Sequence, residues 1–281
     1  MGFFRSPIVT EKLAIAMLVL PLTACGGNQL ARDVRQQQQQ QISQTEQKNN
    51  IASLSEVIKT NPNDANAINL RGAAYGQAGD YERAMADFNA ALALNAQFPQ
   101  AYANRALVYV RMKRLNEALA DYDRALNIDP NYSSAYVGRG NIYRLTKNHP
   151  AAIADFTRAL EIEANPIAFF NRGLSRQAIN EHAQAIDDFD NALGFRADAP
   201  EIYQAKGLSQ MALRKYENAA DDFYKATQNT KDNYEAWALR GQATEALGQR
   251  QEAAKAYQRS LQINPNFQPA REGLDRVGRA A

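Results

Sequence analysis

A small residue returns along this chain at nearly constant intervals: Gly72, Ala106, Gly140, Gly173, Gly207 and Gly241 are separated by 34, 34, 33, 34 and 34 residues. Twelve residues after each stands an alanine (Ala84, Ala118, Ala152, Ala185, Ala219, Ala253). Four further on comes an aromatic (Phe88, Tyr122, Phe156, Phe189, Phe223, Tyr257), and three beyond that another small residue. Residues four apart share one face of a helix, so the ring fills the space that the small residues leave. Periods of this length mark stacked supersecondary units, each of which hides its apolar face only against its neighbour. Pro62, Pro130 and Pro265 close units where two helices meet.

The pattern resembles the tetratricopeptide repeat, a 34-residue helix–turn–helix, over residues 65–267. That resemblance implies an all-α, right-handed solenoid with hairpins at 65–98, 99–132, 133–165, 166–199, 200–233 and 234–267. The single 33-residue step maps to the loop at Asn165-Pro166, where a deletion leaves both helices whole. Residues 51–64, with Leu54, Val57 and Ile58, read as the second helix of a degenerate first unit. Residues 268–281, with Ala270, Leu274 and Val277, read as a C-terminal capping helix. About fourteen helices and no strands are expected.

The first 24 residues read as a targeting segment. Arg5 and Lys12 precede an apolar run from Leu13 to Leu22, too short for the roughly 20 residues a membrane span needs but fitting a signal peptide. Leu22-Thr23-Ala24-Cys25 resembles the lipobox of bacterial lipoproteins, and Cys25 is the only cysteine. The resemblance implies diacylglyceryl transfer to the Cys25 thiol, cleavage before it and acylation of the freed amine. Two or more chains anchor stably where one does not. Gly26 stands where enterobacterial lipoproteins kept at the inner membrane carry Asp, so the resemblance implies an outer-membrane anchor with the chain facing the periplasm. The other reading is a plain signal peptide with an unused thiol. Residues 25–50, with six consecutive glutamines at 36–41, are too polar to bury a core and are expected to form a flexible tether. As a coil of about 25 residues it would span about 25–30 Å. No heptad of apolar residues supports a coiled coil there.

A formal net charge of +2 gives no electrostatic footprint for nucleic acid. No nucleophile–base set, phosphate loop or metal-ligand spacing is present, so no catalytic residue, metal or cofactor is expected. His149 and His182 occupy the position of Tyr81 and Tyr216 and read as packing aromatics; Trp237 reads as core. A base precedes each recurring small residue (Arg71, Arg105, Arg139, Arg172, Lys206, Arg240). An acid precedes five of the six helix-B aromatics (Asp87, Asp121, Asp155, Asp188, Asp222), and Ala256 stands at the sixth. Six cations in line could bind a polyanion. Because the acids repeat with the bases, each base is expected to pair with the acid sixteen residues on.

In this family the concave face carries the ligand, through positions two, five, six, nine and twelve of each first helix. Here that resemblance selects Asn69, Asn104, Asn141, Arg144, Asn171 and Gln204, with Val137, Phe170, Leu174, Leu208 and Met211 as an apolar floor and Phe170 as central anchor. Side-chain amides both donate and accept, which suits an extended peptide backbone. Packing between repeats is the alternative role for these residues. The Lys and Asn pair of the chaperone-binding subclass is missing from the matching positions.

In layout the chain is similar to outer-membrane adaptor lipoproteins with this repeat and to the pilotins of type IV pili. The expectation is a membrane-anchored scaffold that binds protein or peptide segments of the cell envelope, without nucleic acid or small-molecule substrate. A pilotin-like assembly factor for an outer-membrane secretin is the alternative. An envelope enzyme would require a catalytic constellation, and a cell-wall spacer a uniformly charged groove.

Overall fold

The computed structural model describes residues 27–228, 230 and 232–279, and among them there are fourteen helices and no strand. The signal segment and Cys25 lie outside the described residues. After α1 (Gly27–Thr60) come six antiparallel pairs, helix A then helix B: α2 (Ala65–Gln77) with α3 (Tyr81–Leu94), α4 (Pro99–Arg111) with α5 (Leu115–Ile128), α6 (Ser133–Leu145) with α7 (His149–Ile162), α8 (Pro166–Ala178) with α9 (His182–Phe195), α10 (Pro200–Ala212) with α11 (Tyr216–Gln228), and α12 (Tyr234–Ala246) with α13 (Arg250–Ile263). The last helix is α14 (Gln268–Arg279).

The ends of these helices follow from local chemistry. Asp64, Asp80, Asn148, Asn165 and Asn233 cap N-termini by accepting hydrogen bonds from backbone N–H groups of the first turn. Pro99, Pro166 and Pro200 start helices at the position that needs no donor. The 33-residue step falls where expected: only 163–165 join α7 to α8, and Asn165 Oδ1 accepts from the N–H of Ile167 and Ala168.

Within each pair the ring of helix B lies against the small residue of helix A. An added Cβ at Gly72, Gly140, Gly173, Gly207 or Gly241 would come within 2.6–3.0 Å of that ring. The six recurring alanines from Ala84 to Ala253 have no exposed surface. Where Ala106 replaces the glycine, the Tyr122 ring abuts Gly138 of the following pair, and Tyr257 likewise abuts Gly273 in α14.

The expected coil at 26–50 is corrected. Residues 27–60 form one α-helix. From Asn28 to Thr60 there is neither glycine nor proline, and Gln, Ala, Leu, Arg, Glu and Lys all favour helix. Polarity forbids a core, but a helix satisfies its own backbone without one. The described residues up to Asn50 group apart from the unit that begins at Ile51. Within the latter, Ile58 packs against the cluster of Ile68, Ala91 and Ala101, and Ser55 accepts from Arg71 at 3.4 Å.

Candidate partner-binding groove

A helices of successive units pack on one another in the pairs α2–α4, α4–α6, α6–α8 and α8–α10, and α14 packs on α12 in the same way. No two B helices meet to a comparable extent among the described residues. The A helices therefore line the inner, concave side of the array.

Two hollows open between the first three A helices. One, of about 130 Å³, lies between α2 and α4, bordered by Ala73, Gln77, Asn104, Leu107 and Arg111. The second, of about 380 Å³, lies between α4 and α6, bordered by Leu107, Val110, Arg111, Asn141 and Leu145. Leu107 and Arg111 border both and join them into one trough. Leu107 is 50% exposed and Leu145 is 58% exposed, so its apolar surface is open to solvent. The Tyr122 ring and Gly138 lie at its base, and burial pushes the Tyr122 hydroxyl up to about 12, so it is a neutral donor at physiological pH.

The residues selected from sequence divide into four groups. Asn104 and Asn141 border the trough. Asn69 and Asn171 do not serve it: both are buried, Asn69 Oδ1 accepting from Asn104 Nδ2 at 3.1 Å and Asn171 Nδ2 donating to the Ile167 carbonyl at 3.0 Å. The selection treated each unit alone, and these bonds come from the next unit or the preceding turn. Val137, Phe170, Leu174 and Met211 are partly buried and pack into inter-unit clusters, Phe170 lying 6.0 Å from the Phe189 ring. Phe170 is thus tied to packing rather than standing free as a central anchor. Gln204 Oε1 accepts from Asn233 at 3.4 Å, Leu208 is exposed, and Arg144 keeps a buried Nε with no hydrogen-bond partner.

Sequence reasoning missed Arg111 and Leu145, which sit one position beyond those counted, and the Tyr122–Gly138 contact. A tyrosine in place of phenylalanine, with a glycine sixteen residues on, was the available signal. Farther along the array Glu245 is engaged within the fold. Arg276 of α14 donates to both carboxylate oxygens at 2.9 and 3.0 Å, and the Tyr257 hydroxyl donates to Oε2. The Arg276 guanidinium is the main cause holding Glu245 below the usual carboxylate range.

The charged ladder is internal. Arg71, Arg105 and Arg139 each donate through Nε and Nη2 to the two oxygens of Asp87, Asp121 and Asp155, at 2.6–2.8 Å. Arg172 does the same to Asp188, which also accepts from Arg176 at 2.9 Å. The third nitrogen reaches back to the preceding helix B, at Ser55, Asn89, Asp123 and Thr157. Lys206 bridges Asp190 and Asp222. At the sixth rung Arg240 instead lies over the rings of Tyr224 and Trp237, at 4.6 and 5.6 Å. Trp237, expected in the core, is only partly buried there.

Family models described as tetratricopeptide repeat or TPR repeat match residues 74–113, 99–132, 133–166 and 234–267. No curated protein matches the sequence. Among solved structures, the chain is similar to PilF of Pseudomonas aeruginosa (20% identity, 75% of this chain and 97% of that one, TM-score 0.65). It is also similar to the type IV pilus biogenesis factor PilW (22%, 76% and 97%, 0.62). A third is YrrB, a TPR protein with an unusual peptide-binding site (22%, 67% and 97%, 0.63). At these identities the likeness is one of fold. The chain is an all-α protein built of tetratricopeptide repeats.

Proposed function

We propose that this chain is a membrane-anchored interaction scaffold of the bacterial cell envelope, acylated at Cys25, which holds peptide segments of other envelope proteins in its concave trough. The observation that carries the reading is the trough itself. Leu107 and Leu145, on the inner face of the first three repeats, expose apolar side chains between amides that can pair with a peptide backbone. The lipobox-like residues before Cys25 and the residue Gly26 support outer-membrane anchoring that faces the periplasm.

Photo-crosslinkable residues at Leu107 and Leu145 in cells test the groove. Both positions are expected to give discrete adducts, while exposed Gln258 on α13 gives none; adducts at Gln258 alone would move the recognition surface elsewhere. Cys25→Ser tests the anchor, since it should leave the protein soluble or as uncleaved precursor. A pilotin-like role in secretin assembly is a second reading, supported by the overlay on PilF and PilW over three quarters of the chain. It requires that deleting the protein mislocalise a secretin.

A further inference from the structure

Each A–B turn places its middle residue in the left-handed region: Gly79, Lys113, Lys147, Asn180, Arg214 and Gly248, with φ between 58° and 80°. Glycine enters that region freely and lysine does not. A cation after a helix C-terminus gains from the helix dipole, but it would gain equally in the first and last turns, where glycine stands. Capping therefore does not account for Lys113 and Lys147.

What separates these two lysines from Arg214, which takes the same turn position, is their surroundings. Lys113 borders the larger hollow and Lys147 follows two residues after its rim residue Leu145. Both lysines are exposed, and neither they nor Arg111 takes part in an ion pair among the described residues. Arg111 borders both hollows, and no carboxylate borders either. The trough thus has an apolar floor, amide walls and a lip of unneutralised cations at the ends of α4 and α6. Arg214 borders neither hollow.

We propose that the trough of the first three repeats selects acidic peptide segments, in which a leucine- or phenylalanine-sized anchor is flanked by Asp or Glu. The anchor meets Leu107 and Leu145 while the carboxylates meet Arg111, Lys113 and Lys147. This rests on the concave-groove reading and narrows it to a partner chemistry. Unlike-charge complementarity of this kind chooses among partners and speeds encounter more than it adds affinity to a pair already formed.

Labelled dodecapeptides with two central leucines flanked by Glu, by Gln or by Lys test it by fluorescence anisotropy, with the full mature chain in nonionic detergent. The Glu peptide is expected to bind about tenfold tighter than the Gln peptide, and the Lys peptide weakest of the three. The Glu advantage should shrink near 0.15 M salt, where the screening length is about 8 Å. The double variant Lys113→Gly/Lys147→Gly should lose that advantage while melting no lower than the parent, because glycine suits the turn; binding loss then cannot be unfolding. Equal binding of Glu and Lys peptides, or a double variant that keeps the Glu preference, overturns the proposal. If the Glu, Gln and Lys peptides bind equally well and Leu107→Asp abolishes all three, the groove stands and the acidic selectivity falls. If no peptide binds, both fall for the tested class. If in addition phosphatidylglycerol in the micelle shields Lys113 and Lys147 from acetylation, the lip faces lipid.

Discussion

At the residue scale, Asp188 differs from the other acids of the ladder that face arginine. It is 1% exposed and neutralises two guanidinium groups, Arg172 and Arg176, where Asp87 serves one. Removing one member of a buried ion pair leaves its partner uncompensated, at a cost of about 3–5 kcal/mol. Asp188→Ala is therefore expected to lower the chemical-denaturation midpoint more than Asp87→Ala; equal losses would show that the second cation contributes nothing. Glycine positions give a second comparison. Gly138→Ala would drive a methyl into the Tyr122 ring, and such overpacking costs about 1–3 kcal/mol. Gly194, with nothing within 4 Å of where a Cβ would stand, should instead tolerate alanine and gain up to about 1 kcal/mol of helix propensity. Melting curves of the two variants should thus move in opposite directions.

At the scale of elements, α14 is fastened by a titratable group. Glu245 has its folded value lowered by Arg276, so its contribution is present above the ordinary value of 4.5 and is lost as pH falls below it. Hydrogen exchange in α14 should therefore rise between about pH 5 and 3, ahead of α6 to α9, and Glu245→Gln should remove that pH dependence. A pH-independent α14 in the parent protein would mean that its packing through Ala270 and Val277 suffices. The hairpins themselves were legible from sequence because their defining contacts are local: a glycine, an alanine and a ring within one pair of helices. Two things were not. The helix α1 lacks an apolar stripe, so periodicity is silent about it and only the absence of breakers speaks. The inner face depends on the following unit, as Asn104 shows by taking up Asn69 thirty-five residues away.

Across the whole array from Ile51 onward, packing is uneven. The α3–α4 and α5–α6 contacts are the thinnest between successive units, and the two hollows open beside them. Local openings draw on the least packed regions, which are also where ligands are taken up. Amides of α2 to α5 are thus expected to exchange faster than those of α7 to α12, with the difference narrowing when a bound peptide fills the trough. Uniform protection along the array would separate the hollows from any local softness.

The ladder also bears on how long such a protein can be. Each arginine grips the acid of its own pair and a residue of the pair before, at spacings that recur from unit to unit. Excising residues 99–132 would bring Arg139 up to Asn89, a side chain that already serves Arg105 in this way, and the ladder would close again. The sixth pair differs in its own rung, where Ala256 stands in place of the acid and Arg240 is held by the rings of Tyr224 and Trp237. A pair moved behind α13 would still reach back to an amide, Gln258, at the place where Arg105 finds Asn89. Recombination among hairpins can therefore change the count without rewriting the sequence of any one of them.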